Sequence, residues 1–284
     1  HFEFHHQRLT PSQALRELVQ IAQVAARARS QPFSHVLELL PHGETETTEE
    51  ADPKLSPEET LLRDLVNLAV TIHDDGQVNP LTVVDISQGV TRMYRIETGE
   101  RRYWATWLLR DFIRTSTGDG MVPCIVVPSE RSSIFRQARE NTARAGLSAI
   151  AMARQTALLL LTVHGYEIPA YPVGNDFYRQ ALNLDLKGKT EHTEAVLAAM
   201  GGIDRFHFSH YKSLLGLSDE ALELADRHNL DEFRLRHVLK LDSELHAEMV
   251  QHIIDLNLTG RQVLQIVEQG MKVEENTQSP SISK

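Results

Sequence analysis

Gly99 ends an apolar run and opens a stretch rich in arginine, Gly99-Glu100-Arg101-Arg102-Tyr103-Trp104-Ala105. A glycine between a strand and a helix lets the backbone approach a ligand, and the first-turn N–H groups of the helix favour an anion. Arg101 and Arg102 add fork-shaped cationic donors suited to phosphate oxygens. The expected chemistry is phosphate binding, against the plainer reading of a strand-to-helix turn with two solvent-facing arginines. A second group, Glu140-Asn141-Thr142-Ala143-Arg144, places a carboxylate and a guanidinium four residues apart. Alone it reads as an intrahelical ion pair. Beside a phosphate corner, the same carboxylate, amide and guanidinium suit a nucleotide-bound Mg²⁺ and its phosphates.

The elements that must position these residues follow from periodicity. Pro57, then Leu61, Leu62, Leu65, Leu68, Ala69 and Ile72, predict an amphipathic helix ending near Gly76. Leu81–Ile86, Arg92–Thr98 and Val122–Pro128 read as strands, with a helix over Glu100–Arg114 between the second and third. Val36–Leu40 reads as a further strand. Upstream, Pro11–Arg29 carries Leu15, Leu18, Val19, Ala22, Ala25 and Ala26 at helical spacing behind Ser12, a peripheral arm over residues 1–30. From Ser132 onward helical patterning dominates. Thr193–Ala199, the Gly201-Gly202 turn and Asp204–Leu215 have the spacing of a helix-turn-helix, with helices merely packing in a bundle as the alternative.

Composition bounds the function. The 284 residues include 29 basic and 39 acidic ones, a net charge of −10, which excludes a protein coated in positive potential. Gly43–Glu59 carries seven acids against Lys54, and Leu217–Glu275 carries thirteen acids against six bases. The remainder is slightly basic, with basic clusters at Arg92–Arg114 and Ile134–Arg154. No apolar run, Ala157–Leu161 included, comes near the length of a membrane span. Cys124, the single cysteine, is expected buried as a small hydrophobe, and a cytoplasmic setting is expected. The fourteen histidines include no paired ligand motif, and Trp104 and Trp107, three apart, read as a core face.

Four boxes in order resemble the ParB/sulfiredoxin-like superfamily, and within it the ParB partition proteins. Gly76-Gln77-Val78-Asn79-Pro80-Leu81-Thr82-Val83 is similar to the family's helix end and first strand, Gly99–Ala105 to its arginine box, and Val122–Val127 to its next strand. Glu140–Leu147 with Ser148 and Ile150 is similar to its fourth box. The likeness spans roughly residues 34–155. The segment Phe206–Leu217 resembles the family's recognition helix. Two positions depart: Trp104 stands where the family has a third arginine, and the acidic tract Gly43–Asp52 replaces an arginine-bearing segment.

The resemblance implies an α+β ParB/sulfiredoxin-like domain over residues 31–150, an all-α helix-turn-helix domain over 151–272, and a disordered tail over 273–284. It implies CTP and Mg²⁺ as ligands, with Gly99, Glu100, Arg101 and Arg102 on the triphosphate and Glu140, Asn141 and Arg144 at the metal and phosphates. Any catalysis would be slow CTP hydrolysis, with Glu140 ordering water. Arg205, His207, His210, Lys212 and Ser213 are the expected contacts to double-stranded DNA. A homodimer, a ParA-like ATPase partner and a nucleoid- or plasmid-associated cytoplasmic location are further implications, with no membrane role. The sulfiredoxin branch carries its reactive cysteine where this chain has Gly99-Glu100-Arg101-Arg102, so a redox-repair role is not expected. A nucleotide-dependent kinase or nuclease of the superfamily, or a DNA-binding adaptor with a decayed nucleotide site, remain the alternatives.

Overall fold

A computed structural model describes residues 3–4, 7–40, 55–77, 79–87, 89–113, 121–128, 134–143, 147–169 and 173–277. The chain divides into two units, residues 1–132 and 133–284.

The first unit is α+β. A two-residue ladder, β1 (Glu3–Phe4) against β2 (Gln7–Arg8), precedes α1 (Pro11–Ala28), α2 (Pro57–Asp75), β3 (Leu81–Asp85), β4 (Tyr94–Thr98), α3 (Glu100–Leu108) and β5 (Cys124–Val127). Both long helices start where local chemistry satisfies the orphan N–H groups. Thr10 with Gln13, and Ser56 with Glu59, form reciprocal capping boxes ahead of Pro11 and Pro57. The sheet order is β4-β3-β5, with β4 antiparallel and β5 parallel to β3. Gln77 Nε2 donates to the Asn79 and Pro123 carbonyls, at 3.1 and 3.3 Å, and the Leu81 N–H donates to the Pro123 carbonyl at 2.9 Å. These bonds pin the entry of β5 to that of β3.

Three readings of this half need correction. Helix α1 is no peripheral arm: Leu15, Leu18, Val19, Ala22 and Ala26 join Leu62, Leu65, Val66, Ala69, Ala105 and Leu108 in one apolar core. Val36–Leu39 is a short 3₁₀ turn rather than a strand: His35 and Glu38 cap it reciprocally, and Val36 and Leu39, three apart, share the face that packs on that core. Cys124 is exposed. It opens an edge strand, on which Ile125 (55% exposed) and Val126 (49%) also face outward, and only Val127 is buried. Helix α3 is followed by a π-type segment, Leu109–Ile113, while Arg114 lies outside the described residues. Trp104 and Trp107 do pack against the core, as their spacing predicts.

The second unit is all helical: α4 (Ile134–Ala143), α5 (Ala149–Val163), α6 (Asn175–Arg179), α7 (Thr190–Ala199), α8 (Arg205–Ser213), α9 (Asp219–Arg227), α10 (Glu232–Val238), α11 (His246–Asp255) and α12 (Gly260–Thr277). Helix α5 is apolar nearly all round, with Ile150, Ala153, Ala157, Leu159, Leu160 and Leu161 fully buried, so it forms the axis on which the others pack. Its start is tied to α9 by Asp226, which accepts from Ser148 Oγ and from Arg154 Nη1 at 2.6 Å. The division between units differs from a boundary at residue 150, because α4 packs on α5 and α7. Residues 273–277, read as tail, continue α12, and 278–284 lie outside the described residues.

One buried group carries a pH prediction. The His237 ring on α10 is 7% exposed, and neither ring nitrogen has a hydrogen-bond partner among the described residues. Burial, then the charges of Lys240 and Arg236, hold its pKa below the ordinary value of about 6.5, against the opposing pull of Glu268. The unfolded chain therefore takes up this proton first as pH falls, and stability is lost below about pH 6.5 down through the folded pKa. The fall in Tm between pH 7.5 and 5.5 should be smaller in His237→Leu than in the parent protein; an equal fall would exclude His237 as its source.

Candidate nucleotide and nucleic-acid interfaces

The first candidate site is the junction of β4 and α3. Thr98 closes the strand, and Gly99 caps the helix with φ 94° and ψ 19°, a left-handed conformation that glycine adopts without strain. The Gly99 carbonyl accepts from the N–H groups of Arg102 and Tyr103, so the helical ladder starts at once. A Cβ on Gly99 would stand 2.7 Å from Leu81 Cδ2, so the corner is closed on its β3 side.

The three charged residues of this corner do different work. Arg101 is exposed and reaches Asp64 of α2 across 3.3 Å of solvent-facing surface. Its guanidinium can therefore turn to a phosphate at little cost. Arg102 is engaged structurally: its Nη1 donates to the Asn79 and Pro80 carbonyls at 2.9 and 2.8 Å, locking the loop before β3. Glu100 accepts from Trp104 Nε1 at 3.3 Å, one turn along the helix. The donor set thus fits a phosphate through Arg101 and the helix N-terminus.

Glu140 and Asn141 lie on α4, in the second unit; Asn141 is exposed and Glu140 half-buried, and Arg144 lies outside the described residues. No group of three or more His, Cys, Asp or Glu side chains that could hold a metal occurs among the described residues. A Mg²⁺ here would depend on phosphate oxygens for most of its ligands. The neighbour of Asn141 has a clear structural task. The Thr142 Oγ1 proton lies between the Ala138 carbonyl at 2.8 Å and the Ala199 carbonyl at 3.1 Å, and the oxygen accepts from Gln155 Nε2 at 2.8 Å; Gln155 is itself buried. A Cβ on Gly201 would lie 2.7 Å from Thr142 Cγ2. Helix α4 is therefore seated against the end of α7 and the turn that follows it.

That turn joins the two helices of the second candidate site. Gly201 and Gly202, at φ 82° and 78°, carry the chain from α7 into α8, and the Gly202 N–H donates back to the Leu197 carbonyl at 2.9 Å. Asp204 caps α8, its carboxylate accepting the His207 N–H at 2.8 Å and lying 2.9 Å from His207 Nδ1. Those bonds hold the Asp204 carboxyl below the usual carboxylate range. Phe208, Leu214 and Leu215 anchor the helix in the core.

The expected DNA contacts separate in this frame. Arg205 and His207 are exposed in the first turn of α8, where a recognition helix meets base edges. His210 is partly covered, with Nδ1 2.9 Å from Arg236 Nη1 and 3.3 Å from Glu232 Oε1. Lys212 and Ser213 turn inward: Lys212 Nζ donates to the Leu182 and Leu184 carbonyls at 3.2 and 2.7 Å, and Ser213 Oγ donates to the His210 carbonyl. Phe206, 64% exposed, and Ser209, also exposed, share the outward surface and were not expected there. Phe206 could have been found as the aromatic out of step with the Phe208, Tyr211, Leu215 core rhythm.

Comparison with known proteins bears on the second unit. Residues 181–272 match the family model described as the ParB HTH domain, and the turn and its flanking helices lie inside the matched segment. No curated protein matches the chain. The crystal structure of the C-terminally truncated chromosome-partitioning protein ParB from Caulobacter crescentus, complexed to the centromeric parS site, is 20% identical. The match covers 81% of this chain and 94% of that one, with a TM-score of 0.36. The same truncated protein complexed with CTP-γ-S is 22% identical over 75% of this chain and 90% of that one, with a TM-score of 0.22. Superpositions this loose carry no functional argument. The architecture stands on the chain's own elements: an α+β unit followed by an all-α unit that contains the helix-turn-helix.

Proposed function

We propose that the ParB-type helix-turn-helix domain serves a DNA-partition protein that binds double-stranded DNA as a homodimer, under the control of a nucleotide held at the Gly99 corner. The observation that carries the DNA reading is the α7–Gly201-Gly202–α8 unit inside the matched segment, with the first turn of α8 presenting Arg205 and His207 outward. Arg205 supplies a phosphate or guanine contact and His207 a shorter donor. The acidic surface from Leu217 to Glu275 confines the electrostatic footprint to the reader itself.

CTP with Mg²⁺ is the proposed effector. The left-handed Gly99, the helix N-terminus and the exposed Arg101 support a triphosphate there, and Glu100, Arg102, Glu140, Asn141 and Arg144 complete the proposed set by resemblance. A bound Mg²⁺ would neutralise phosphate charge, while the chain's own residues orient the phosphates and Glu140 orders water for slow hydrolysis. A ParA-like ATPase and a nucleoid or plasmid address complete the reading. One observation favours a second reading, an adaptor that keeps the DNA reader but not the nucleotide: Arg102 is engaged by the Asn79 and Pro80 carbonyls.

Calorimetric titration with CTP, ATP and GTP in the presence of Mg²⁺ separates these readings. CTP binding that disappears in Arg101→Ala, with Tm unchanged, is the expected result, since an exposed pair such as Arg101–Asp64 contributes about 1 kcal/mol at most. ATP selectivity would point instead to a nucleotide-dependent kinase. Silence toward all three would leave the adaptor.

A further inference from the structure

The first turn of the recognition helix carries, beside its polar residues, an aromatic ring that faces away from the core. Phe206 is 64% exposed, on the helix face opposite its buried Phe208. Two rings brace it. The His210 ring lies 4.0 Å away, centroid to centroid, and the His207 ring lies edge-on at 5.9 Å. Each brace is anchored in turn: His207 by the Asp204 carboxylate, and His210 by Arg236 and Glu232 of α10. The ring is thus held in place before any partner arrives, so little conformational entropy is lost when it is covered. Folding does not explain the placement, because Phe208, two residues on, is the helix's buried aromatic.

We infer that Phe206 reads the C5 methyl group of a thymine in the major groove. This rests on the proposed DNA-binding role and deepens it. A phenyl ring offers no hydrogen bond, and among the features on major-groove base edges the one that rewards apolar contact is that methyl. The neighbouring Arg205 provides the cation that holds the adjoining phosphate or guanine. Phe206 therefore determines specificity at one base pair of each half-site, while Arg205 supplies affinity.

The test uses the full chain. A preferred duplex is selected from a random DNA pool, and each thymine in it is then replaced singly by deoxyuridine, which removes only the methyl. At one position per half-site the parent protein should bind the deoxyuridine duplex about fivefold more weakly, the value of one buried methyl-sized apolar contact. Phe206→Ala should bind the thymine duplex about fivefold more weakly and should not distinguish the two bases at that position; Phe206→Leu should recover part of both effects. Phe206 lies outside the core, so folding is expected to persist and circular dichroism confirms it. Methyl discrimination that survives unchanged in Phe206→Ala, or parental affinity in that variant, overturns the inference while leaving DNA binding in place. Failure of the parent protein to enrich any duplex would remove the DNA-binding proposal itself, and the inference with it.

Discussion

Arg29→Met should destabilise the first unit by about 3–5 kcal/mol at neutral pH, the cost of leaving a buried charge without its partner. The Glu59 side chain is fully buried, and Arg29 closes a two-point bond to it, with Nε 3.3 Å from Oε2. The pair ties the end of α1 to the start of α2, where Glu59 also accepts the Ser56 N–H at 2.9 Å as part of the capping box. Burial by itself would raise the Glu59 pKa; the bonds from Arg29 and Ser56 outweigh it and leave the carboxyl below its ordinary value. A lowered carboxyl contributes stability that is present above the unfolded pKa of about 4.5 and is lost as pH falls through the folded value. In the variant the desolvation remains without the guanidinium, so Glu59 accepts a proton readily on acidification and is then neutral. The gap between variant and parent should therefore be widest near pH 7, on the order of 10 °C in Tm, and should narrow toward pH 4. Thermal melts at the two pH values check it; a gap that stays constant would mean that the loss is one of packing and not of charge.

Gly99→Ala should fail in a different way, losing stability and nucleotide binding together. A side chain at φ 94° costs about 1–2 kcal/mol. Its Cβ also falls 2.7 Å from Leu81 Cδ2 and 3.4 Å from Leu81 Cα. Leu81 is only 3% exposed at the start of β3, so the methyl has little room to retreat, and overpacking adds about 1–3 kcal/mol. Relief of that clash must shift the first turn of α3, the turn whose N–H groups face the proposed phosphate. Urea unfolding should show a lower midpoint and titration should show no CTP binding, whereas Arg101→Ala loses only the second. A Gly99→Ala protein with parental stability would mean that β3 yields more easily than its burial implies.

Much of the fold was legible because its signals are local. The start of α2 is written in Ser56-Pro57 and Glu59, and the helix-turn-helix in paired glycines between two helical patterns followed by Asp204. The misreadings share a cause, since each depends on a partner distant in sequence. Cys124, Ile125 and Val126 have the composition of a buried strand, but an edge position decided their exposure. The stripe of α1 reads equally as an arm or as a core helix until α2 and α3 are seen to lie against it. Arg102 and Lys212 have the types and positions of ligand contacts; backbone carbonyls 22 and 30 residues away also engage Arg102 Nη1 and Lys212 Nζ. No spacing rule marks an arginine or lysine that will be used to hold a loop. Phe206 carries no such long-range partner; choosing contacts by charge and hydrogen-bonding capacity passes over an aromatic whose helical phase alone sets it outside the core.

The bond from Thr142 to the Ala199 carbonyl has a mechanical consequence. Gly201 leaves no space beside Thr142, and Gln155 closes the same junction from α5, so any slide of α4 along α7 meets a steric stop and gives up the contact with the Ala199 carbonyl. The division between the units falls at Ser132 and Ser133, ahead of α4. Glu140 and Asn141 therefore ride on the same frame as the helix-turn-helix, and a displacement of α4 is felt at the Gly201-Gly202 turn.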